Sequence, residues 1–306
     1  MPAAGLAIAI GLGVDRAFGE PPTSVHPVAR FGQVMTALEG RVYGDSRWRG
    51  AAFCVVGVGA AAAVGVVLRQ VLGRDGSTAV AVAASSAARM LGREANAIGD
   101  LLVDGDLTGA RQRLPSLVGR TATDLSERDV ARAVIESVAE NSVDAVISPI
   151  VWAAIGGAPA VLAYRAVNTL DAMVGHRNAR YERFGWASAR LDDFANWVPA
   201  RVATVLVAGV RPRRAATVGR VVGRDGRRHP SPNGGVIEAA FAASLDIRLG
   251  GTNRYGHVTE DRGVLGDGSP AEATDIARAV ALLDRITLAL GVVALSATVV
   301  RSVRSR

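Results

Sequence analysis

The run AAFCVVGVGAAAAVGVVL, residues 51–68, contains no charged side chain, and it limits the possible folds more than any other feature. A helix crosses a bilayer with roughly 17–25 apolar residues, because hydrocarbon offers no partner to an unsatisfied backbone N–H or C=O. A second run, AVISPIVWAAIGGAPAVLAY at 145–164, is interrupted by Pro149, Gly156, Gly157 and Pro159. Packed membrane helices tolerate such breaks better than soluble ones. Two further spans are expected near 194–210 and 286–300. The apolar N-terminus, 3–14, lacks the basic region and cleavage site of a signal peptide and reads as a retained membrane-associated segment. Arg301, Arg304 and Arg306 in the tail favour a cytoplasmic C-terminus.

Hydrophobic residues make up 49% of the 306, yet aromatics are only 5% and charged residues still 21%. Mean hydropathy is +0.24. The expected fold class is therefore mostly α: a multi-pass helical membrane protein with polar helical and loop segments between the spans, organised as a single unit over 1–306. Sustained period-two alternation, the mark of strands, is missing. The single cysteine, Cys54, excludes a disulfide framework and a cysteine-rich zinc site. The net charge of +7 is carried by Arg alone, since the chain has no Lys. That excludes a Walker A loop and a lysine nucleophile. The Arg residues are spread through every polar segment, which argues against nucleic acid and for lipid headgroups and anionic small molecules.

Local signals place helices between the spans. Residues 79–103 read as one small-residue helix. Asp106 is placed to cap a short helix that runs to Leu114 and is stopped by Pro115. Ser126 and Asp129 form a capping pattern at the start of the next helix. The segment 224–235, RDGRRHPSPNGG, is expected to be irregular.

Three groups of residues are candidates for chemistry. Glu136 and Glu140 share one face of the helix opened by Ser126, and Asp144 extends the row if the helix continues. Carboxylates in a row repel unless a cation lies among them, so they read as a magnesium site for a nucleotide phosphate or as ion pairs with Arg132. The second group is Arg165, Asn168, Asp171, Arg177, Arg180, Arg190, Asp192 and Asp193. The arginines suit phosphate groups, and the aspartates suit Mg²⁺ or a proton taken from an amine; the plainer reading is a solvated loop at the headgroups. The third is the loop of His229, Ser231 and Asn233, whose backbone N–H groups suit an anion, with Glu238 in the following helix. His26 reads as a structural hydrogen-bonder.

Taken together these segments resemble the CobD/CbiB family of membrane-bound cobinamide-phosphate synthases. The resemblance is carried by FGEPPTSVHPVARFG (18–32), GDLTGARQRLPSLVGR (105–120), the long stretch 131–181, FGWASARLDDFANWVPAR (184–201), HPSPNGGVIEAAFAASL (229–245) and LGGTNRYG (249–256). The chain departs from the family's pattern at 121–124, where an acidic residue is usual directly after Arg120, and at His176-Arg177, where an aromatic–Lys pair is common. The resemblance implies an amide-bond ligase of the cell membrane, multi-pass, that joins (adenosyl)cobyric acid to aminopropanol or its O-phosphate. ATP would drive the step through an acyl phosphate, with Mg²⁺. On that reading Glu136, Glu140 and Asp144 meet Mg–ATP, and Arg165, Asn168, Asp171, Arg180 and Arg190 position phosphates. Asp192 or Asp193 is the amine's base, with Asp171 in the same catalytic group, and His229, Ser231 and Asn233 hold a second anion. Other cobalamin-pathway enzymes are the expected protein partners. Two alternatives stand beside it: a Mg-dependent membrane prenyl- or phospho-transferase, which also uses Asp-rich loops, and a non-catalytic scaffold for corrinoid enzymes.

Overall fold

The computed structural model describes residues 4–22, 24–119, 124–176, 178–255 and 258–304. The family departures at Arg120–Thr123 and Arg177, and the arginine at 306, lie outside the described residues. The chain is organised as two compact units, Met1–Ala87 with Asp144–Asn196 and Leu290–Arg306, and Ala88–Val143 with Trp197–Ala289. They are called unit 1 and unit 2 below.

Unit 1 contains α1 (Ala4–Phe18), α2 (Pro27–Val42), α3 (Arg47–Ser85), α7 (Ser148–Gly156), α8 (Ala158–Val174) and α9 (Trp186–Ala195). His26 caps α2, its Nδ1 accepting from the Val28 N–H at 3.2 Å, and Pro27 follows at the first helical position, where its missing N–H costs nothing. Small residues let α3 pack closely. A Cβ at Gly50 would stand 1.7 Å from the Phe184 carbonyl oxygen, so no larger residue fits there. Around this contact Met35, Phe53, Cys54, Leu170, Val174 and Phe184 form a buried core. Elsewhere on α3, Val55, Val56, Val67 and Val71 are exposed, apolar surface that water penalises and lipid accepts.

Unit 2 contains α4 (Ala88–Val103), α5 (Leu107–Arg113), α6 (Glu127–Ser142), α10 (Trp197–Val210), α11 (Ala215–Asp225) and α12 (Gly234–Leu245). Strands β1 (Ile247–Tyr255), β2 (Val258–Leu265) and β3 (Ser269–Pro270) follow, and then α13 (Ala273–Arg304), whose last part belongs to unit 1. The caps read from the sequence are present. Asp106 accepts from the Gly109 N–H at 2.8 Å, and Ser126 and Asp129 form a reciprocal capping box.

Among the described residues, three stretches are helical, long and apolar enough to cross a membrane: Arg47–Val103, Glu127–Gly156 and Ala273–Thr298. The first contains the uncharged run at 51–68, and the third overlaps 286–300. The other two expected spans are not continuous helices. Residues 145–164 break at Gly157, whose φ of +65° suits glycine and no L-residue with a Cβ. Residues 194–210 divide between α9 and the 14-residue α10, which at 1.5 Å per residue spans about 21 Å of a ~30 Å core. The single helix expected at 79–103 is likewise split at Ser86–Ala87, where the Ala87 N–H donates to the Ala145 carbonyl at 3.0 Å.

The sheet is what the pattern of the sequence hid. β1 pairs antiparallel with β2 (Leu249 opposite Leu265) and parallel with β3 (Ile247 opposite Ser269). Ile247 and Leu249 are buried and Arg248 is exposed, so the alternation exists. It lasts three residues before Gly250 and Gly251, at φ +75° and +82°, break the register.

Candidate functional site

Two polar clusters stand out, one in each unit. In unit 1 the C-terminal half of α8 and the length of α9 bring Arg165, Asn168, Asp171, Arg190, Asp192 and Asp193 together. Asp192 accepts from both sides: Asn196 Nδ2 at 3.1 Å on one oxygen and Asn168 Nδ2 at 3.4 Å on the other. Asn196 is itself held, its Oδ1 accepting from the Ser148 hydroxyl at 2.6 Å and the Tyr164 hydroxyl at 2.9 Å. Asn168 accepts from Arg165 at 3.2 Å, and the Arg165 Nε is buried without a hydrogen-bond partner.

Burial pushes the Asp171 carboxyl up to about 7, with the neighbouring Asp192 and Asp193 carboxylates adding to the shift. Asp192 is raised to about 6 by burial and by Asp193, and the amides of Asn196 and Asn168 hold it from going higher. Both values bring a carboxylate into the range of a working proton acceptor at neutral pH. Beside them opens a cavity of about 590 Å³ whose lining includes Gly175, Arg190, Asp193, Arg47 and Trp186. Arg190 stands 3.9 Å from Asp193. A Cβ at Gly175 would lie 1.9 Å from Asp171 Oδ1, so the absence of a side chain on this lining residue leaves the carboxylate its place behind it.

Arg180, grouped with these residues in the sequence, is engaged elsewhere in unit 1. Its guanidinium meets Glu39 at 3.0 Å and lies over the Tyr43 ring at 4.1 Å. Glu39 also accepts from the Tyr181 hydroxyl at 2.9 Å. Glu39 and Ser148 are not among the residues that the sequence singles out. The available signal was a polar group on a face that must be buried, which requires a partner.

In unit 2 the row expected on α6 is shortened. The helix passes into a π-helical turn at Val143–Ile147. Asp144 belongs to unit 1, where its backbone carbonyl accepts from the Tyr164 hydroxyl at 3.2 Å. Glu136 is buried and anchors the sheet, its Oε1 accepting from the Gly250 N–H at 2.9 Å with Arg132 at 3.5 Å. Arg132 in turn donates to the Gly250 carbonyl and meets Asp129 at 3.1 Å. One turn on, Glu140 lines a cavity of about 200 Å³ together with Glu136, Asn141 and Arg262. It lies within 4.8 Å of one nitrogen of His229 and one oxygen of Glu238.

The loop before α12 does not present open N–H groups to an anion. The Ser231 N–H donates to His229 Nδ1 at 3.0 Å, and the Ser231 hydroxyl accepts from Asn233 N at 3.3 Å and Gly234 N at 3.0 Å. Asn233 Oδ1 accepts from Arg201 at 2.8 Å. The loop thus spends its donors on itself and turns His229 toward Glu238, with Nε2 to Oε1 at 3.4 Å. Burial, with Glu140 and Glu136 nearby, pushes the Glu238 carboxyl well above the ordinary range.

Helices long and apolar enough to cross a membrane, with a half-buried polar cluster in unit 1 and a largely buried one in unit 2, define a multi-pass helical membrane protein. Comparison with known proteins goes further. The CobD/Cbib protein family matches residues 8–283. The chain is 47% identical over 284 residues to the "Cobalamin biosynthesis protein CobD" of Mycobacterium tuberculosis, with 90% of each chain covered. It is 42% identical over 287 residues to the protein of that name from Geobacter metallireducens (90% of each). With that from Halalkalibacterium halodurans it shares 39% over 298 residues, 92% of this chain and 93% of the relative. No solved structure matches. The chain belongs to the CobD/Cbib family, and its role lies in cobalamin biosynthesis.

Proposed function

We propose that the protein is an acid–amine ligase of the cell membrane that joins the free propionate of adenosylcobyric acid to aminopropanol or its O-phosphate, using ATP and Mg²⁺. The observation that carries this reading is the unit 1 cluster. Carboxyls raised toward neutrality, Asp171 and Asp192, stand beside a cavity of about 590 Å³ whose wall holds Arg190 and Asp193.

A carboxylate is a poor electrophile, so the propionate oxygen first attacks the γ-phosphorus of ATP and ADP leaves. The amine nitrogen then attacks the acyl carbon; the C–N bond forms, the C–O bond to phosphate breaks, and inorganic phosphate departs. An ammonium is no nucleophile, so its proton must go to a base. Asp192, fixed by Asn196 and Asn168, takes that role, with Asp171 beside it. Arg190 and Arg165 supply positive charge to the phosphoryl and phosphate oxygens. Arg180, bonded to Glu39, is left out of that role. Mg²⁺ accompanies the nucleotide and spreads phosphoryl charge.

The test is turnover by detergent-purified protein supplied with adenosylcobyric acid, Mg–ATP and either amine, the corrinoid product being read by mass. ATP-dependent gain of the amine's mass supports the ligase and identifies the amine. Bound but unchanged corrinoid under the same conditions overturns it in favour of a scaffold for other corrinoid enzymes.

A further inference from the structure

We propose that Glu140, His229 and Glu238 hold a resident divalent ion of the first transition series, Mn²⁺ or Zn²⁺ in preference to Mg²⁺. One donor atom from each lies within 4.8 Å of the other two, a separation that one ion at ordinary bond lengths of about 2.0–2.2 Å spans after small side-chain adjustment. The donor set mixes two carboxylates with an imidazole nitrogen. Hard Mg²⁺ takes oxygen and keeps its water, whereas imidazole draws Zn²⁺ and its neighbours in the series.

A second observation, independent of the clustering, is the state of Glu238. It is fully buried at 0% exposure; neither carboxylate oxygen meets a hydrogen-bond donor, while the Glu140 carboxylate stands within hydrogen-bonding reach of it. The side-chain nitrogens facing it are His229 Nε2 at 3.4 Å and Arg262 Nη1 at 3.8 Å. Arg262 serves Glu140 as well, at 3.4 Å, so one guanidinium faces two carboxylates. A buried carboxylate so placed requires a shared proton or a cation. One local feature favours the cation. Gly234 leaves space at the cluster: a Cβ there would stand 3.1 Å from Glu140 Oε1 and 3.1 Å from His229 Cε1. His229 Nδ1 accepts from the Ser231 N–H at 3.0 Å and lies 3.4 Å from the Ser231 carbonyl, so binding a metal through Nε2 requires a change of tautomer. The tautomer that gives Nε2 to a metal places its proton on Nδ1 and donates it to that carbonyl, the outer contact usual for metal-bound histidine. In this state Ser231 N–H must turn away from the ring. Because Glu140 also lines the cavity of about 200 Å³, an ion on its carboxylate faces that cavity, where its remaining positions can take water or a substrate oxygen.

The proposal does not depend on the ligase reading, and its test uses neither corrinoid nor ATP. Full-length protein in detergent is stripped with EDTA and titrated with Mn²⁺, free ion being followed by its EPR signal, with Zn²⁺ and Mg²⁺ as competitors. One Mn²⁺ per chain is expected, displaced by Zn²⁺ and retained against tenfold Mg²⁺. E238Q and the more accessible E140Q should each weaken binding by at least about tenfold, and D267N, whose carboxylate pairs with Arg220 and Arg224, should leave it unchanged. Thermal unfolding keeps the test informative if binding is lost through misfolding: each Gln variant should unfold cooperatively and lose only the Mn²⁺-dependent gain in Tm. Absence of saturable Mn²⁺ or Zn²⁺ binding overturns the site, as does binding that both Gln variants preserve. Protonated Nε2 on His229 in the metal-loaded protein, read by ¹⁵N NMR, overturns it as well and leaves a shared-proton cluster.

Discussion

Around Asp192 negative charge is answered by amides, whereas around Glu136 it is answered by a guanidinium and a backbone N–H. Asn196 and Asn168 orient the unit 1 carboxylate without neutralising it, so it stays basic enough to accept a proton. Arg132 lies 3.5 Å from Glu136 while bonding the backbone of Gly250, and the pair becomes an anchor for β1. A half-buried and a buried acid of the same chain are thus set to different tasks by the charge of their partners, which decides whether a carboxylate out of bulk water is a reagent or a fastener.

Breaking each cluster should therefore give different losses. The largest effect is expected for D192N, which keeps the shape and removes the base: turnover should fall by about 10²–10⁴-fold with unfolding little changed, as compared by kinetics and thermal melts. Full turnover by D192N would remove Asp192 from the chemistry. G175A should come next, because the added Cβ meets Asp171 Oδ1 at 1.9 Å. A displacement of that carboxylate by an ångström or so is expected to cost about 10²-fold in turnover, and G175S should do no better. In unit 2, E136A leaves the Gly250 N–H without its acceptor and Arg132 with one carboxylate fewer, and denaturant melts should report a loss of about 1–3 kcal/mol. An E136A protein as stable as the wild type would show that β1 is held by other contacts.

The pH dependence sharpens the same contrast. Asp192, raised to about 6, acts as a base only when ionised, so turnover should rise as pH increases through about 6 and level off above it. Asp171, raised to about 7, binds its proton more tightly folded than unfolded. Its stabilising contribution is therefore complete below the unfolded value near 3.8 and is lost as pH rises through 7. In metal-free protein D171N should match the wild type in Tm at low pH and exceed it above pH 7; a gap that closes with rising pH would reverse the assigned sign. The smallest effect is expected at the exposed Arg214–Asp246 pair, 2.7 Å apart, where R214A should cost no more than about 1 kcal/mol.

Much of this organisation is readable in the chain. The capping residues at Asp106 and Ser126, the absence of charge at 51–68, and the crowding of Asn, Asp and Arg after residue 164 each point to the element or cluster found there. The sheet was hidden because two adjacent glycines cut its alternation short. The metal-type cluster was hidden for a different reason. Glu140, His229 and Glu238 come from three separate segments with no ligand spacing between them, and the loop read as an anion cradle uses its own N–H groups.

What the sequence by itself determined is what local physics dictates: which stretches are apolar enough for a membrane, where helices begin, and that so many buried polar groups must find partners. The tertiary structure decided who those partners are. The π-helical turn that begins at Val143 leaves Asp144 in unit 1 while Glu140 stays in unit 2, and Glu39 pairs with Arg180. These choices depend on which helix faces lie against one another, and side chains far apart in the chain meet only once those faces are packed.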